Sequence, residues 1–334
     1  MSFKQLVEDS KSNGALLQAI ARKVYEKIQV GTEVMQLAID TEEMIRKCNK
    51  HVASPMSIEI NNIVNNFAPM LPYNLTKDDI ISYSLTLAND RSGFGIVKCA
   101  YSVSLSGLHD DIIEGITDAC LAGIKECGPD ARFIDVSKAI YETLRSLDIH
   151  TLTNVCGHSL NNAKRVIPCI PTPASKIYQN YEYQHAKMKV GETFCIEVYG
   201  TDYIEDQEAI VGLPTMYFIN QCEKKPPPRL SSLKSLYQMA ANRYQNDIFS
   251  LRDLQLRMRN SNPNSGIRKY FIDKNGELKQ KIFDNAFRRL VREAYISPLY
   301  GCKLPANPQT GNMNIVSHIG HSVLITENGA IPLC

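Results

Sequence analysis

The chain has 334 residues, 44% of them hydrophobic, and a formal charge of +2. That is enough apolar material for one large packed domain or two ordinary ones, so a globular protein is expected. No stretch approaches ~18 uninterrupted apolar residues, and the N-terminal segment carries Glu8 and Asp9 where a signal peptide needs an apolar run. The ten cysteines form no Cys-x-x-Cys pair and no tight framework. A soluble cytoplasmic protein, also able to be nuclear, with reduced thiols and no membrane contact, is therefore expected.

In chain order, Ser12 is placed to cap a helix whose apolar positions Leu16, Leu17, Ile20, Val24, Tyr25 and Ile28 follow helical spacing, and Thr32 to begin a second with Val34, Leu37, Ala38, Met44 and Ile45. From Ser57 to Ser104 the pattern becomes β-like, with runs at Ile80–Leu87 and Gly95–Leu105 joined by the turn sequence Asn89-Asp90-Arg91-Ser92-Gly93. A helix over Leu108–Cys127 is stopped by Gly128-Pro129, and Asp135 caps another that runs to about Leu147. The segment Asn154-Val155-Cys156-Gly157-His158-Ser159, a Pro-rich loop at Pro168–Pro173, and strands near Thr193–Val198 and Leu213–Asn220 follow. Helices, hairpin strands, helices and strands again give an α+β protein.

Residues 223–295 read as a helical insert. They open on Lys224-Lys225-Pro226-Pro227-Pro228-Arg229, where three prolines forbid a continuous helix or a central strand, and contain helix-like stretches near Ser231–Tyr244, Ser250–Arg259 and Asn275–Tyr295. Between 223 and 293 there are sixteen Lys/Arg and seven Asp/Glu, a surplus of nine positive charges, so the rest of this +2 chain carries a surplus of seven negative ones. The insert is expected to be basic, and such polarity orients a molecule toward phosphate.

Four stretches carry a resemblance to type 2 methionine aminopeptidases. They are Pro55–Pro69, with Ile60-Asn61-Asn62 leading to Phe67-Ala68-Pro69; the hairpin Asp78–Leu105; Asn154–Pro168, with Cys-Gly-His-Ser; and Met188–Glu197, ending in Ile196-Glu197. A helical insert before the last strand is a hallmark of type 2. Together these cover roughly residues 12–330, within a single domain spanning 1–334. The resemblance implies the pita-bread fold: a curved antiparallel sheet with outer helices, pseudo-two-fold halves and a metal site in the concavity.

Carried over position by position, the resemblance leaves most of that metal site empty of ligands. The substrate-pocket histidine of the family falls on Asn66, the first metal-binding aspartate within Ser84–Leu87, the second on Lys98, and the last bridging glutamate on Gly320. Only His158 and Glu197 are retained. A two-metal hydrolase needs carboxylates to compensate two divalent ions ~3.5–4 Å apart, and an ammonium has no lone pair to give one. No metal and no cofactor are expected, and Lys98 is expected to pair with Glu197 in the cation's place.

Other residues are read as structural. His158 is expected to be a hydrogen-bonded structural histidine, Asp90 a turn residue and Glu192 a solvated turn residue. Cys156 is expected to lack a histidine base. His318 and His321 are read as sharing a strand face separate from that of Gly320.

The resulting expectation is a non-catalytic, monomeric binding factor akin to the ErbB3-binding protein and its fungal nuclear-export counterpart, which sit on the large ribosomal subunit near the peptide exit. Lys224, Lys225, Arg229, Arg288, Arg289 and Arg292 would contact rRNA through its backbone, and the pocket would face a nascent peptide N-terminus. The histone-binding branch, as in the FACT chaperone, fits the basic insert less well. The alternative is an active methionine aminopeptidase with a rearranged site holding two divalent metal ions.

Overall fold

A computed structural model describes residues 2–161, 165–171, 185–203, 205–220, 228–262, 265–306 and 314–334. Helix α1 spans Phe3–Lys27, and its cap is Ser2, whose hydroxyl accepts the Gln5 amide. It begins well before Ser12 because Leu6 and Val7 extend the apolar stripe onto the same core. Helix α2, Val34–Lys47, is capped by both carboxylate oxygens of Glu33. Thr32, the expected cap, instead donates its hydroxyl to the Lys27 carbonyl.

Strands β1 (His51–Ile60), β2 (Ile63–Asn65), β3 (Ile80–Ala88) and β4 (Val97–Ser104) follow, then helices α3 (Asp110–Lys125) and α4 (Phe133–Ser146). Asp135 lies inside the first turn of α4, whose cap position is Arg132. Next come β5 (Cys156–Ser159), β6 (Val166–Pro168), β7 (Thr193–Thr201), β8 (Ile210–Val211) and β9 (Met216–Ile219). The insert supplies α5 (Ser231–Tyr244), β10 (Phe249–Ser250), α6 (Leu251–Arg259), α7 (Gly266–Phe271) and α8 (Gln280–Arg292). The chain closes through β11 (Ile296–Leu299), β12 (Cys302–Lys303), β13 (Val316–Thr326) and β14 (Gly329–Pro332).

The main sheet is antiparallel with order β1-β3-β4-β13-β7-β5-β6, and β14 pairs with β13. Two halves meet at β13. In one, α1 and α2 cover Ile81, Tyr83, Leu85 and Leu87 of β3 with Val97 and Cys99 of β4. In the other, α3 and α4 cover Phe194, Ile196 and Val198 of β7 with Ile319, Val323 and Ile325 of β13. The helices therefore take one set of alternate residues, and the other set is left for the opposite face. On that face stand Glu59, Ser82, Ser84, Thr86, Lys98, Ala100, Glu197, His318 and Gly320.

The insert has its own core, in which Leu236, Phe271, Phe283 and Leu290 are fully buried. That core also takes in Tyr217 and Ile219 of β9 and Ile296 of β11, so the unit extends past the expected limits 223–295. Strands β9 and β11 pair with each other and β10 pairs with β9, which closes the insert's mouth. Helix α7, absent from the sequence reading, is a six-residue segment too short to show a period.

Candidate functional site

Glu197 lies in the middle of β7, where the register sets it opposite Gly320 of β13, and Gly320 in turn sits opposite Ala100 of β4. Its carboxylate is 2% exposed and meets three nitrogens. Lys98 Nζ donates to Oε1 at 2.6 Å, His318 Nε2 lies 3.1 Å from the same oxygen, and His158 Nδ1 lies 2.9 Å from Oε2. Burial alone would raise the carboxyl pKa. The ammonium of Lys98 and the imidazole of His158 outweigh it and hold Glu197 well below the usual carboxylate range. Burial pulls Lys98 down, and the Glu197 charge more than reverses that, so the ammonium stays protonated.

Glycines set this geometry. A Cβ on Gly157 would lie 2.5 Å from the Cys195 carbonyl oxygen and 2.9 Å from the Glu197 amide nitrogen, so only glycine lets β5 bring His158 this close. A Cβ on Gly320 would lie 3.1 Å from Glu197 Cγ and 3.3 Å from Ala100 Cβ. A glutamate there would crowd the side chain that Lys98 now binds.

His318 corrects the sequence reading. Residues 318 and 320 are two apart on β13 and share a face, whereas His321 points to the other side and packs edge-on against Tyr101 at 5.5 Å. The His318 ring stacks on Tyr199, with centroids 4.1 Å apart and planes within 9°. Burial pushes the pKa of His318 down, so the ring is neutral near pH 7, and its Nε2 carries the proton shared with Glu197. Its Nδ1 is buried without a hydrogen-bond partner.

Glu59 of β1 was missed. It is 2% exposed, and its Oε1 accepts from the Ser57 hydroxyl while Oε2 has no partner. Burial pushes its pKa up to about 8 against the pull of Ser57 and Lys98, so it is mainly a neutral acid at pH 7. The alternation Ser57-Ile58-Glu59-Ile60 was the signal that could have found it.

The remaining expected residues divide clearly. Of Ser84–Leu87, Leu85 and Leu87 lie in the helix-covered core, and Thr86 stands directly opposite Lys98. Asn66 stands apart: it takes a left-handed backbone at φ 54° and its carbonyl accepts the Thr215 hydroxyl. Asp90 accepts the Ser92 amide and is turn chemistry. Glu192 is not simply solvated, because it accepts the Lys189 amide and pairs with Arg165 at 3.0 Å. Burial pushes the Cys156 thiol up to about 12, so it has no thiolate to offer as a nucleophile.

Among the rRNA candidates, Lys224 and Lys225 lie outside the described residues. Arg229, Arg288 and Arg292 are exposed, but Arg289 pairs with Glu293 at 2.6 Å. Other insert cations are also engaged. Arg252 is buried against Glu42 of α2 at 2.5 Å, and Arg257 pairs with Asp253 at 3.3 Å. The last pair and that of Arg289 join charges the sequence count already sets against each other, so it is the burial of Arg252 against a carboxylate of the body that lowers the surplus presented to solvent.

These side chains do not fit two divalent ions. The Lys98 ammonium stands against the carboxylate a cation would need, and both imidazoles face that same carboxylate. Among the described residues, no group of three or more His, Cys, Asp or Glu side chains is arranged to hold a metal ion.

The sheet, the outer helices and the Cys-Gly-His-Ser and Ile-Glu strands define a methionine aminopeptidase-like protein of the pita-bread fold. Residues 11–221 match metallopeptidase family M24, and the chain belongs to that family. It is 26% identical over 314 residues to the methionine aminopeptidase of Methanocaldococcus jannaschii, covering 93% of each chain. It is 23% identical over 280 residues to methionine aminopeptidase 2-2 of Emericella nidulans, covering 74% of this chain but only 57% of that relative's length. In structure it superposes on a thermophilic Arx1 with a TM-score of 0.70 and 10% identity, covering 100% of this chain and 91% of the other. The methionine aminopeptidase of Thermotoga maritima superposes with a TM-score of 0.59 and 15% identity, covering 98% and 96%.

Proposed function

We propose that this chain is a non-catalytic methionine aminopeptidase-like protein that works as a monomeric binding factor on the large ribosomal subunit, near the peptide exit. It would act in the cytoplasm and also in the nucleus. The observation that carries the loss of chemistry is the Lys98 ammonium 2.6 Å from Glu197, at a position where the family resemblance calls for a metal-binding aspartate. Activating a water between two metals requires several carboxylates around them, and here the buried Glu197 carboxylate is neutralised by the protein's own cation. The ribosomal part is supported by the basic insert, whose exposed Lys281, Arg288 and Arg292 recur on one face of α8, and by analogy with the non-catalytic branch of the fold.

The names of the sequence relatives favour the other reading, an active aminopeptidase. Metal analysis of the purified protein together with hydrolysis of a Met-Ala-Ser peptide separates the two: no turnover is expected, and two bound divalent ions with turnover would overturn the proposal. For the partner, co-sedimentation with large subunits is expected to weaken steadily as salt rises. Binding indifferent to salt would exclude the insert as the contact.

A further inference from the structure

Where the insert docks on the body there is a cavity of about 170 Å³, lined by α2, the start of β1, the tip of the β3–β4 hairpin and the segment joining α5 to α6. At ~30 Å³ per water, that is room for an oxyanion with water beside it. Arg46, Lys50, Arg91 and Arg243 line it together with His51. Its acids are Glu42, Asp247 and Asp253.

These acids are already engaged. Glu42 binds the buried Arg252 at 2.5 Å, Asp253 accepts the Tyr244 hydroxyl at 2.9 Å and pairs with Arg257 at 3.3 Å, and Asp247 lies 3.2 Å from His51 and 3.5 Å from Arg91. Counting Arg252 and Arg257 behind the wall and Glu43 beside Arg46, six permanent cations face four carboxylates. Among the described residues, Lys50 donates only to the neutral amide oxygen of Asn89, at 2.7 Å. The nearest carboxylates to Arg46 stand 3.4 to 3.9 Å away. Arg91 reaches across the mouth to donate to the Arg243 carbonyl at 2.6 Å, which fixes the hairpin tip to the insert. Low-dielectric walls concentrate such an unbalanced positive field inside the cavity.

We propose that this junction cavity is a binding site for a phosphate group, held by Arg46, Lys50, Arg91 and Arg243. Guanidinium- and ammonium-bearing residues that line the cavity from both sides of the junction match the several acceptor oxygens of a phosphate. The group is either a free phosphate or one in an RNA backbone; in both cases the site stands without the ribosomal reading.

Equilibrium dialysis of the whole chain against radiolabelled inorganic phosphate, at fixed ionic strength set with sodium chloride, tests it. Saturable binding near one equivalent is expected, weakened at least ~10-fold in the Lys50→Gln/Arg243→Gln double variant and unchanged in Lys125→Gln, an exposed position of α3. Thermal unfolding of the same proteins should show a phosphate-dependent rise in Tm that the double variant lacks. No saturable binding, or equal binding by the double variant, would overturn the site. An added RNA duplex that displaces the label identifies a backbone phosphate as occupant. Label retained beside bound RNA identifies a free oxyanion. Both support the site, and because the readout is phosphate itself, its failure is distinct from failure of the ribosomal reading.

Discussion

The floor of the main sheet and the insert hold their charges in opposite ways. On the floor a single ionised carboxylate, Glu197, is buried and every neighbour is arranged around it. The insert carries many more charges, yet its surface cations surround an ordinary apolar core, and Arg252, which ties it to the body, is turned inward onto Glu42. Charge counts therefore mislead in both directions. A residue balance near zero hides a concentrated internal charge in one region, and a large surplus overstates what the other shows to solvent.

The sharpest way to break the floor is Lys98→Met. It leaves Glu197 buried with no permanent cation, and a loss of ~3–5 kcal/mol in urea unfolding at pH 7 is expected. Adding Glu197→Gln should restore much of it, and a double variant no more stable than the single one would show that the pair is not coupled. Next is Arg252→Met, which strips Glu42 of its 2.5 Å partner at the junction. Arg46 remains beside Glu42, so a loss of about 3 kcal/mol is expected, read in the same denaturation experiment.

Glu59 gives a smaller, pH-dependent effect. Its folded pKa of about 8 stands above the ordinary 4.5, so the folded state holds a proton that the unfolded state releases. Stability from this group is complete below the unfolded pKa and is lost as pH rises toward 8 and through it. Between pH 6 and 8 this amounts to about 2 kcal/mol at 1.36 kcal/mol per unit. Glu59→Gln should flatten that part of the pH profile, and an unchanged slope would show that Glu59 is ionised in the fold. The smallest effects belong to the insert surface. Arg288→Gln and Arg292→Gln should each reduce the salt slope of ribosome binding by about 1 while leaving the fold intact.

Much of this was legible from residues. The helix-strand order and the hairpin are local facts, the family resemblance puts Lys98 at a ligand position, and Ser231–Tyr244 was read to its end residues. His158 and Glu197 stand where the Cys-Gly-His-Ser and Ile-Glu strands imply. What was not legible depended on pairing at a distance. Arg252 meets Glu42 across 210 positions of chain, and no local pattern announces that contact. The alternation around Glu59 sets it on the face opposite Ile58 and Ile60, but the depth of its burial is fixed only when β1 is laid beside β3. The placement of His318 was a different kind of miss. Period-two alternation already joins it to Gly320, and the strand register only makes that plain.

The pairing of Met216 with Leu299 has a consequence for how such a protein can be altered. The chain leaves the body and returns to it at neighbouring points of one small sheet, so the insert can be exchanged like a cassette. A short turn from Met216 to Leu299 would span the gap with little loop-closure entropy, and the main sheet would keep its order. The body would not be indifferent to the excision, since Glu42 would lose the arginine that shields it. In the excised protein Glu42 would keep Arg46 and the Met56 amide as partners and would gain the solvent that the insert now shuts out.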